Sequence, residues 1–588
     1  MSDRRDTPTA EREASRAAPW GAAALSLALA VALTWPAALR PSAVLIGHPG
    51  NDVWNHAWGY AWVADSLARG ALPRHTDLLA WPDGGSLYFI DTAVAVALAP
   101  VTWALGPAVA YNLAMIGGIA GSCLAAWLLG RRVCGASWPA ALTAVIYGAS
   151  PHLLGQAYNG ISETVAAWGF PLALWATLRL LDRPGPRAAA LLGAAGAAAA
   201  LVSWYGGVFA AIGAIVLAVD RAARAPREAA RALPWAAAAA LVAAVAVAPA
   251  LWTFRETLSA PDALVTRDLD FVTASLTQHN LTDALAMVRP GRTPSPDLRA
   301  LFGEDLVIVV YVGLVALLAA GLGVLRARPR EAAPWVALGL VFFVLSLGPY
   351  LYIDGQHPTF DGRKIPLPFL PLFDGLPLLS RVSHPFRFVT GLSLAVGALA
   401  ALGLARVSRP GARQAALSVA LGGLALVEVG LASPATLPVP CSDAAIPRAS
   451  EALRGGRGAV LDLPMSLPNL ERAVYLWYQT AHGRPVPWGL NEPMPAALLE
   501  NRLTATLLHI EAGAGGALPP TLPVLDLELA ARALAAQGLG HLVVHEALYP
   551  PDKRAAVLAL LTGLLGPPVR DARDAVSVYP LDPAVGLN

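Results

Sequence analysis

The sequence predicts a multi-pass α-helical membrane protein with a small extracytoplasmic α/β domain at its C-terminus. Three observations predict it. Of 588 residues, 56% are hydrophobic and only 14% are charged, far below the roughly 25% charge of ordinary soluble domains. The apolar residues gather in runs near span length, separated by short arginine-bearing connections. After residue 433 the spanning runs stop, and strand-like segments alternate with helical periodicity. The formal net charge is +2, with arginines spread in small clusters, so no nucleic-acid-binding face is indicated. The three cysteines, Cys123, Cys134 and Cys441, give neither a disulfide framework nor zinc spacing.

Taken in order, residues 1–19 form a polar cytoplasmic tail bearing Arg4, Arg5, Arg12 and Arg16. Residues 20–39 form the first span, an uncleaved anchor because no small-residue cleavage site follows it. Basic connections at Arg131–Arg132, Arg179–Arg187, Arg221–Arg231, Arg326–Arg330 and Arg406–Arg413 all face the cytoplasm if spans lie near 108–130, 138–154, 164–181, 188–203, 207–220, 234–253, 305–325, 334–351, 386–405 and 412–432. That makes about eleven helices over 20–433, with the N-terminus inside and the C-terminus outside. The run 91–106 is short and holds Pro100, so it is expected to be a re-entrant or interfacial helix on the outer side. The outer face then collects the loops 40–107, 254–304 and 352–385, a short loop from His152 to Glu163, and a turn at Trp204–Gly207. It also carries a domain over 434–588, with strands near 458–463, 541–545 and 575–579 and helices near 471–481, 524–537 and 552–564.

Two stretches concentrate chemistry on that face. The first is G-H-P-G-N-D-V-W-N-H-A-W, residues 47–58. If 51–69 is helical, Trp54, Trp58 and Trp62 fall on one stripe, with Asp52, Asn55, His56 and Gly59 on a neighbouring polar face. The stripe is expected to lie in the membrane–water interface, where tryptophan is enriched. Asp52 reads either as the N-cap of this helix or as a group at the mouth of a site. The second stretch is S-R-V-S-H-P-F-R, residues 380–387. Pro385 suits the first residue of a helix, and His384 before it is pushed out of the α region. Arg381, His384 and Arg387 around a helix N-terminus make an anion site, since their mutual repulsion asks for a negative partner.

These stretches and their order resemble the bacterial C-type (GT-C) membrane glycosyltransferases, in the protein-mannosyltransferase-like and Rgt-like branch. The resemblance is carried by the first span followed by an outer loop with an acidic residue, G-N-D-V-W-N-H-A-W. The segment from Leu105-Gly106-Pro107 to the basic Arg131-Arg132 resembles that family's second span, and Ala149–Glu163 its second outer loop. Short motifs continue the likeness through L-G-P-Y-L (347–351), I-P-L-P (365–368), V-L-D-L-P (460–464) and Y-Q-T-A-H-G-R-P (478–485).

The resemblance implies an enzyme that takes a sugar from a polyprenyl-phosphate carrier and attaches it to a cell-envelope acceptor on the periplasmic side of the bacterial inner membrane. Asp52 matches the family's acidic residue, the base or acceptor-orienting group. Glu163 reads as a second acidic group facing the cavity, or as a carboxylate favoured at its helix N-terminus. On the functional reading, Gln156 and Asn159 hydrogen-bond the sugar. His56, one turn beyond Asp52, shares a hydrogen bond with it or stacks on a sugar. The 381–387 cluster takes the donor phosphate. The sequence departs from the family's pair of neighbouring acidic residues: Asn51 precedes Asp52, and the next carboxylate is Asp65. That departure tells against a metal site in this loop, and no cofactor is implied. Two rival readings are a transporter or lipid flippase and a non-catalytic envelope scaffold. The scarcity of charges in mid-span counts against transport.

Overall fold

The computed structural model describes residues 9–265, 269–274, 276–277, 281–290, 306–376, 379, 382–490, 494–513, 524–571 and 573–581. The chain begins with α1 (Thr9–Leu33), followed by the short strand β1 (Val44–Ile46), α2 (Val53–Ala68) and α3 (Thr92–Leu105). Then come α4 (Pro107–Cys134), α5 (Ser137–Gly148), α6 (Pro151–Tyr158), α7 (Ser162–Val165), α8 (Gly169–Asp182), α9 (Pro186–Val202), α10 (Trp204–Arg224) and α11 (Pro226–Ser259). Beyond the next loop lie α12 (Leu314–Arg326), α13 (Pro329–Ser346), α14 (Val389–Val407) and α15 (Ala412–Ala432).

Among the described residues, seven helices are long and apolar enough to cross a membrane, and Ala18–Leu33, Pro186–Val202 and Leu314–Arg326 are apolar but shorter. The protein is a multi-pass membrane protein. α14 sits at the centre and is buried along most of its length between α5, α12 and α13. By contrast α11, 34 residues long, is exposed almost throughout, as expected of a helix facing lipid.

The helices differ from the expected spans in several places, three of which shape the region described below. The span expected over 138–154 is two helices. Pro151 lacks the N–H that would continue α5, and Ser150 caps the restart by accepting from Leu153 N–H (3.3 Å). The span expected over 305–325 starts only at Leu314, after Gly313 in a left-handed conformation (φ 97°). Residues 307–312 form neither helix nor strand, and 308–312 are buried. Such a segment is tolerated in a membrane domain only if its backbone finds partners. Asn159 Nδ2 donates to Val307 O (2.8 Å), Asn159 Oδ1 accepts from Val307 N (2.9 Å), and His152 Nδ1–H donates to Val309 O (2.8 Å). Trp204–Gly207 is not a turn between spans but the first turn of α10, the break falling at extended Ser203.

Beyond residue 433, β2 (Cys441–Asp443) pairs antiparallel with β1, fastening this part of the chain to the segment after α1. A four-stranded sheet follows, made of β3 (Ala459–Leu463), β4 (Leu539–His545), β5 (Val569–Asp571) and β6 (Val576–Pro580), in the order β3-β4-β6-β5. β3 and β4 are parallel and the other pairs antiparallel. Between β3 and β4 lies the helix αC (Val474–His482). One continuous apolar core joins this sheet to α2 and the residues after it, since Trp58, Trp62, Leu79 and Trp81 belong to the same cluster as Val460, Leu476 and Leu542.

The tryptophan stripe is therefore corrected. Trp54, Trp58 and Trp62 are at most 4% exposed and do not face a membrane surface. Trp58 stacks on Trp62 (5.6 Å between centroids), its Nε1–H donates to Gln479 Oε1 on αC (2.8 Å), and Trp54 Nε1–H donates to Pro49 O (2.7 Å). The period-four pattern marks a buried face, and the neighbour that buries it lies more than 400 residues away in sequence.

Candidate functional site

The site forms where α2, the start of α3, the α6–α7 loop and the start of α14 meet. Two glycines make that meeting possible. The Phe89 ring lies directly on Gly59, where a Cβ would sit 2.1 Å from Phe89 Cζ. This brings the residues just before α3 against α2. Gly160, with φ +78°, lets its loop touch the start of α2, where a Cβ would lie 2.7 Å from Val53 Cα. Tyr111 Oη fixes the same junction, 2.6 Å from Ile46 O and 2.9 Å from Gly160 O.

The result is a row of alternating charge. His56 Nδ1 lies 2.7 Å from Asp91 Oδ2, and its Nε2 lies 3.7 Å from Glu163 Oε2. Glu163 Oε1 accepts from Arg387 Nη1 at 3.4 Å. Ser162 Oγ–H also donates to Asp91 Oδ2 and lies 3.2 Å from His56 Nδ1. Asp91 is fully buried, and His56 and Glu163 nearly so. Burial alone would lower the His56 pKa. The Asp91 charge and hydrogen bond, joined by Glu163 and Asp52, overcome it and raise the pKa to about 9. The imidazole thus favours its charged form between Asp91 and Glu163, and acidic and basic side chains alternate along Asp91, His56, Glu163 and Arg387.

The Arg387 end borders a small, partly open cavity of about 20 Å³. Its lining includes the polar side chains of Glu163, Arg387 and Tyr205 together with the rings of Phe170 and Phe209. Arg387 lies 4.9 Å over the Tyr205 ring, whose hydroxyl accepts from His384 N–H (3.0 Å). Asp91 Oδ1, Glu163 Oε2 and Arg387 Nε are buried with no hydrogen-bond partner in the protein, so this row keeps unused capacity.

The residues singled out from sequence divide as follows. His56, Glu163 and Arg387 come together. Asp52 occupies the N-cap position of α2, but its side chain caps nothing. Its Oδ1 accepts from Asn55 Nδ2 (3.1 Å), and its charge acts on His56. His384 precedes a 3-10 turn over Pro385–Phe388 that leads into α14 and has φ −127°, outside the α region. Its Nδ1 pairs with Ser383 Oγ (2.7 Å). The anion that relieves Arg387 is Glu163, a group of the chain itself. Arg381 lies outside the described residues. Asn159 is spent on Val307 and on Asn51 Nδ2 (3.1 Å), which makes it a clamp for the 307–312 segment in place of the expected sugar contact. Gln156 is buried on α6 with its Oε1 unpartnered.

Sequence reasoning missed Asp91, Ser162's bond to it, and Tyr205. The signal available was Asp91 at the start of an apolar run too short to span, an expensive position for a carboxylate unless it is paired. It also placed no metal here. Yet His56, Asp91 and Glu163 offer ligand atoms within 4.8 Å of one another. The two unpartnered carboxylate oxygens fit a divalent cation, provided His56 gives up its proton.

No family model matches the chain, and no curated protein matches it in sequence. Solved structures do match in shape. The arabinofuranosyltransferase AftD from Mycobacteria superposes over 97% of this chain with TM-score 0.54 and 18% identity, and the match takes in 40% of AftD. The apo oligosaccharyltransferase of Archaeoglobus fulgidus superposes over 92% of this chain and 71% of its own, with TM-score 0.50 and 12% identity. The chain thus spans about two fifths of AftD's length. The fold is the one that these two solved structures share. Within the GT-C resemblance, the protein-mannosyltransferase-like or Rgt-like branch rests on the short motifs alone.

Proposed function

We propose that this protein is an integral membrane glycosyltransferase that moves a sugar from a polyprenyl-phosphate carrier to a cell-envelope acceptor on the periplasmic side of the bacterial inner membrane. One observation carries the reading: the alternating row Asp91–His56–Glu163–Arg387 ends at a small cavity lined by both polar and aromatic side chains. A lipid-linked sugar combines the same two characters. Its phosphate needs a cation as the glycosidic bond breaks, and its isoprenoid needs an apolar surface.

On this reading Arg387 takes the donor phosphate, with Tyr205 holding the guanidinium flat and His384 close by. Binding of the phosphate draws Arg387 from Glu163, leaving a carboxylate at the cavity able to accept the acceptor hydroxyl proton. Asp52 and His56 stand behind it, His56 as the cation that keeps Asp91 and Glu163 from repelling each other. Should a divalent cation occupy the site, His56, Asp91 and Glu163 would hold it, and it would add positive charge beside the leaving phosphate.

The test is transfer of radiolabelled sugar from a polyprenyl-phosphate donor by the purified chain in nanodiscs. Arg387→Gln is expected to lower the rate about 100-fold or more, the usual loss for one charged group at a developing anion. A wild-type chain that binds no lipid-linked sugar, or a folded Arg387→Gln variant with unchanged rate, would overturn the proposal.

A further inference from the structure

A second cluster of ionisable groups lies in the C-terminal part, at the N-terminal ends of the parallel strands β3 and β4. αC ends at His482. Gly483, left-handed at φ 64°, turns the chain so that Arg484 runs beneath the loop Arg454–Gly458. Arg484 and His482 are each 4% exposed, and His541 is 1% exposed.

Their hydrogen bonds can be counted in full. Arg484 Nε–H donates to Gly458 O (2.7 Å). Its Nη2 donates to Arg457 O and to His541 Nδ1, the latter at 2.9 Å. The Arg484 backbone N–H donates to His482 Nδ1 (3.1 Å). Both imidazoles thus accept at Nδ1, so each neutral ring must carry its proton on Nε2. Those two Nε2–H groups and Arg484 Nη1 have no partner. Burial lowers both histidines to about 4; at His482 the Asp462 charge opposes it more strongly than the Arg484 charge adds to it, whereas at His541 Arg484 and then His482 add to it. Asp462, whose charge acts on His482, pairs through Oδ1 with His545 at 2.8 Å and hydrogen-bonds none of the three side chains.

Three buried side chains therefore turn hydrogen-bond donors, one of them charged, toward no acceptor. Buried donors left this way are costly, and native proteins rarely tolerate several together. The candidate site differs on this point, since its acidic and basic groups alternate. The loop above is rich in glycine and basic: Arg454 and Arg457 are exposed around Gly455 and Gly456. A Cβ on exposed Gly456 would lie 2.9 Å from Arg484 Nη1, so only this glycine, without a side chain, separates that buried donor from the surface.

We propose that Arg484, His482 and His541 form a binding site for a phosphate-type oxyanion, with the loop Arg454–Gly458 as its basic rim. A tetrahedral oxyanion has enough acceptors to engage the Nη1 hydrogens and both Nε2–H groups, and the planar guanidinium suits it. For a membrane-anchored chain the group belongs either to a phospholipid headgroup or to a soluble phosphate.

The experiment uses the full chain purified in zwitterionic detergent. Inorganic phosphate is titrated by calorimetry, and co-purifying phospholipid is measured by native mass spectrometry. The variants are Arg484→Gln and Gly456→Ala, with Arg387→Gln as the control for the candidate site. Gly456→Ala keeps every polar side chain and needs no left-handed backbone, so it holds the test open if Arg484→Gln fails to fold. A soluble ligand predicts phosphate binding that both variants weaken at least about tenfold, the loss of one charged hydrogen bond, and that Arg387→Gln leaves intact. A lipid source predicts a retained phospholipid that both variants lose. Wild type binding neither, or Gly456→Ala binding as tightly as wild type, overturns the proposal.

Discussion

The two ionisable clusters solve the problem of buried charge in opposite ways. Between α2 and α14, Asp91, His56, Glu163 and Arg387 alternate in sign, and each charge lies within 4 Å of an opposite one. Under the sheet, Arg484 stands with two neutral histidines and makes its bonds to carbonyls and a ring nitrogen. An alternating row is stable with its own partners and becomes reactive only when something displaces one of them. An unbalanced cluster is incomplete until a ligand arrives. The difference teaches that burial of charge alone does not mark a function, and that the partner count decides which kind of site is present.

The largest effect expected on that contrast comes from His56→Leu. It removes the cation between two buried carboxylates, and breaking such a pair costs about 3–5 kcal/mol. The melting temperature of the detergent-purified chain should fall sharply, and adding Asp91→Asn to the variant should recover part of the loss. A His56→Leu variant as stable as wild type would show that the row is not held by charge.

A pH titration sharpens the same point. The folded pKa of His56, about 9, lies above its unfolded value of 6.5. Its contribution is therefore fully present below pH 6.5 and is lost as pH rises through 9. The shift corresponds to on the order of 3 kcal/mol. Melting temperature should decline between pH 6.5 and 9.5 in wild type and stay flatter in His56→Leu. His482 and His541 move the other way, with folded pKa values near 4. Their neutral forms are favoured at and above pH 6.5, and stability is lost as pH falls from 6.5 toward 4. The two clusters thus limit stability from opposite sides of neutrality.

The smallest effect concerns the joint between the regions. Trp58→Phe keeps the packing on Trp62 but loses the bond to Gln479, worth about 1 kcal/mol. Limited proteolysis should release the C-terminal part somewhat faster, while sugar transfer changes little. A large loss of transfer in this variant would mean that αC sets the position of α2, and so of His56.

Much of the fold was legible in the sequence. Runs of span length, arginine-bearing connections and the strand segments 458–463, 541–545 and 575–579 lie within a few residues of helices, connections and strands in the structure. Hydrophobic periodicity and charge act locally, so they survive in a one-dimensional reading. Local breaks were less visible. Pro151 with Ser150, and Gly313, split or shorten spans that hydropathy averages across.

The site was legible only in part. His56, Glu163 and Arg387 drew notice for their residue types and neighbours, and Asp52 for its place after the first span. Asp91 did not, because nothing near it in sequence says that the Phe89 ring will lie on Gly59 and carry the next turn to His56. The tryptophan stripe announced a buried face, but its neighbour, Gln479, is 421 residues from Trp58. Asn159 looked like a sugar ligand until the non-helical segment at Val307 claimed its amide. The sequence by itself determined which segments are long and apolar enough to cross a membrane, since that depends on composition over a few turns. Only the tertiary structure decided which charges pair and which donors remain open, because charge balance is a property of neighbours in space, and here those neighbours come from segments 35 to more than 200 residues apart.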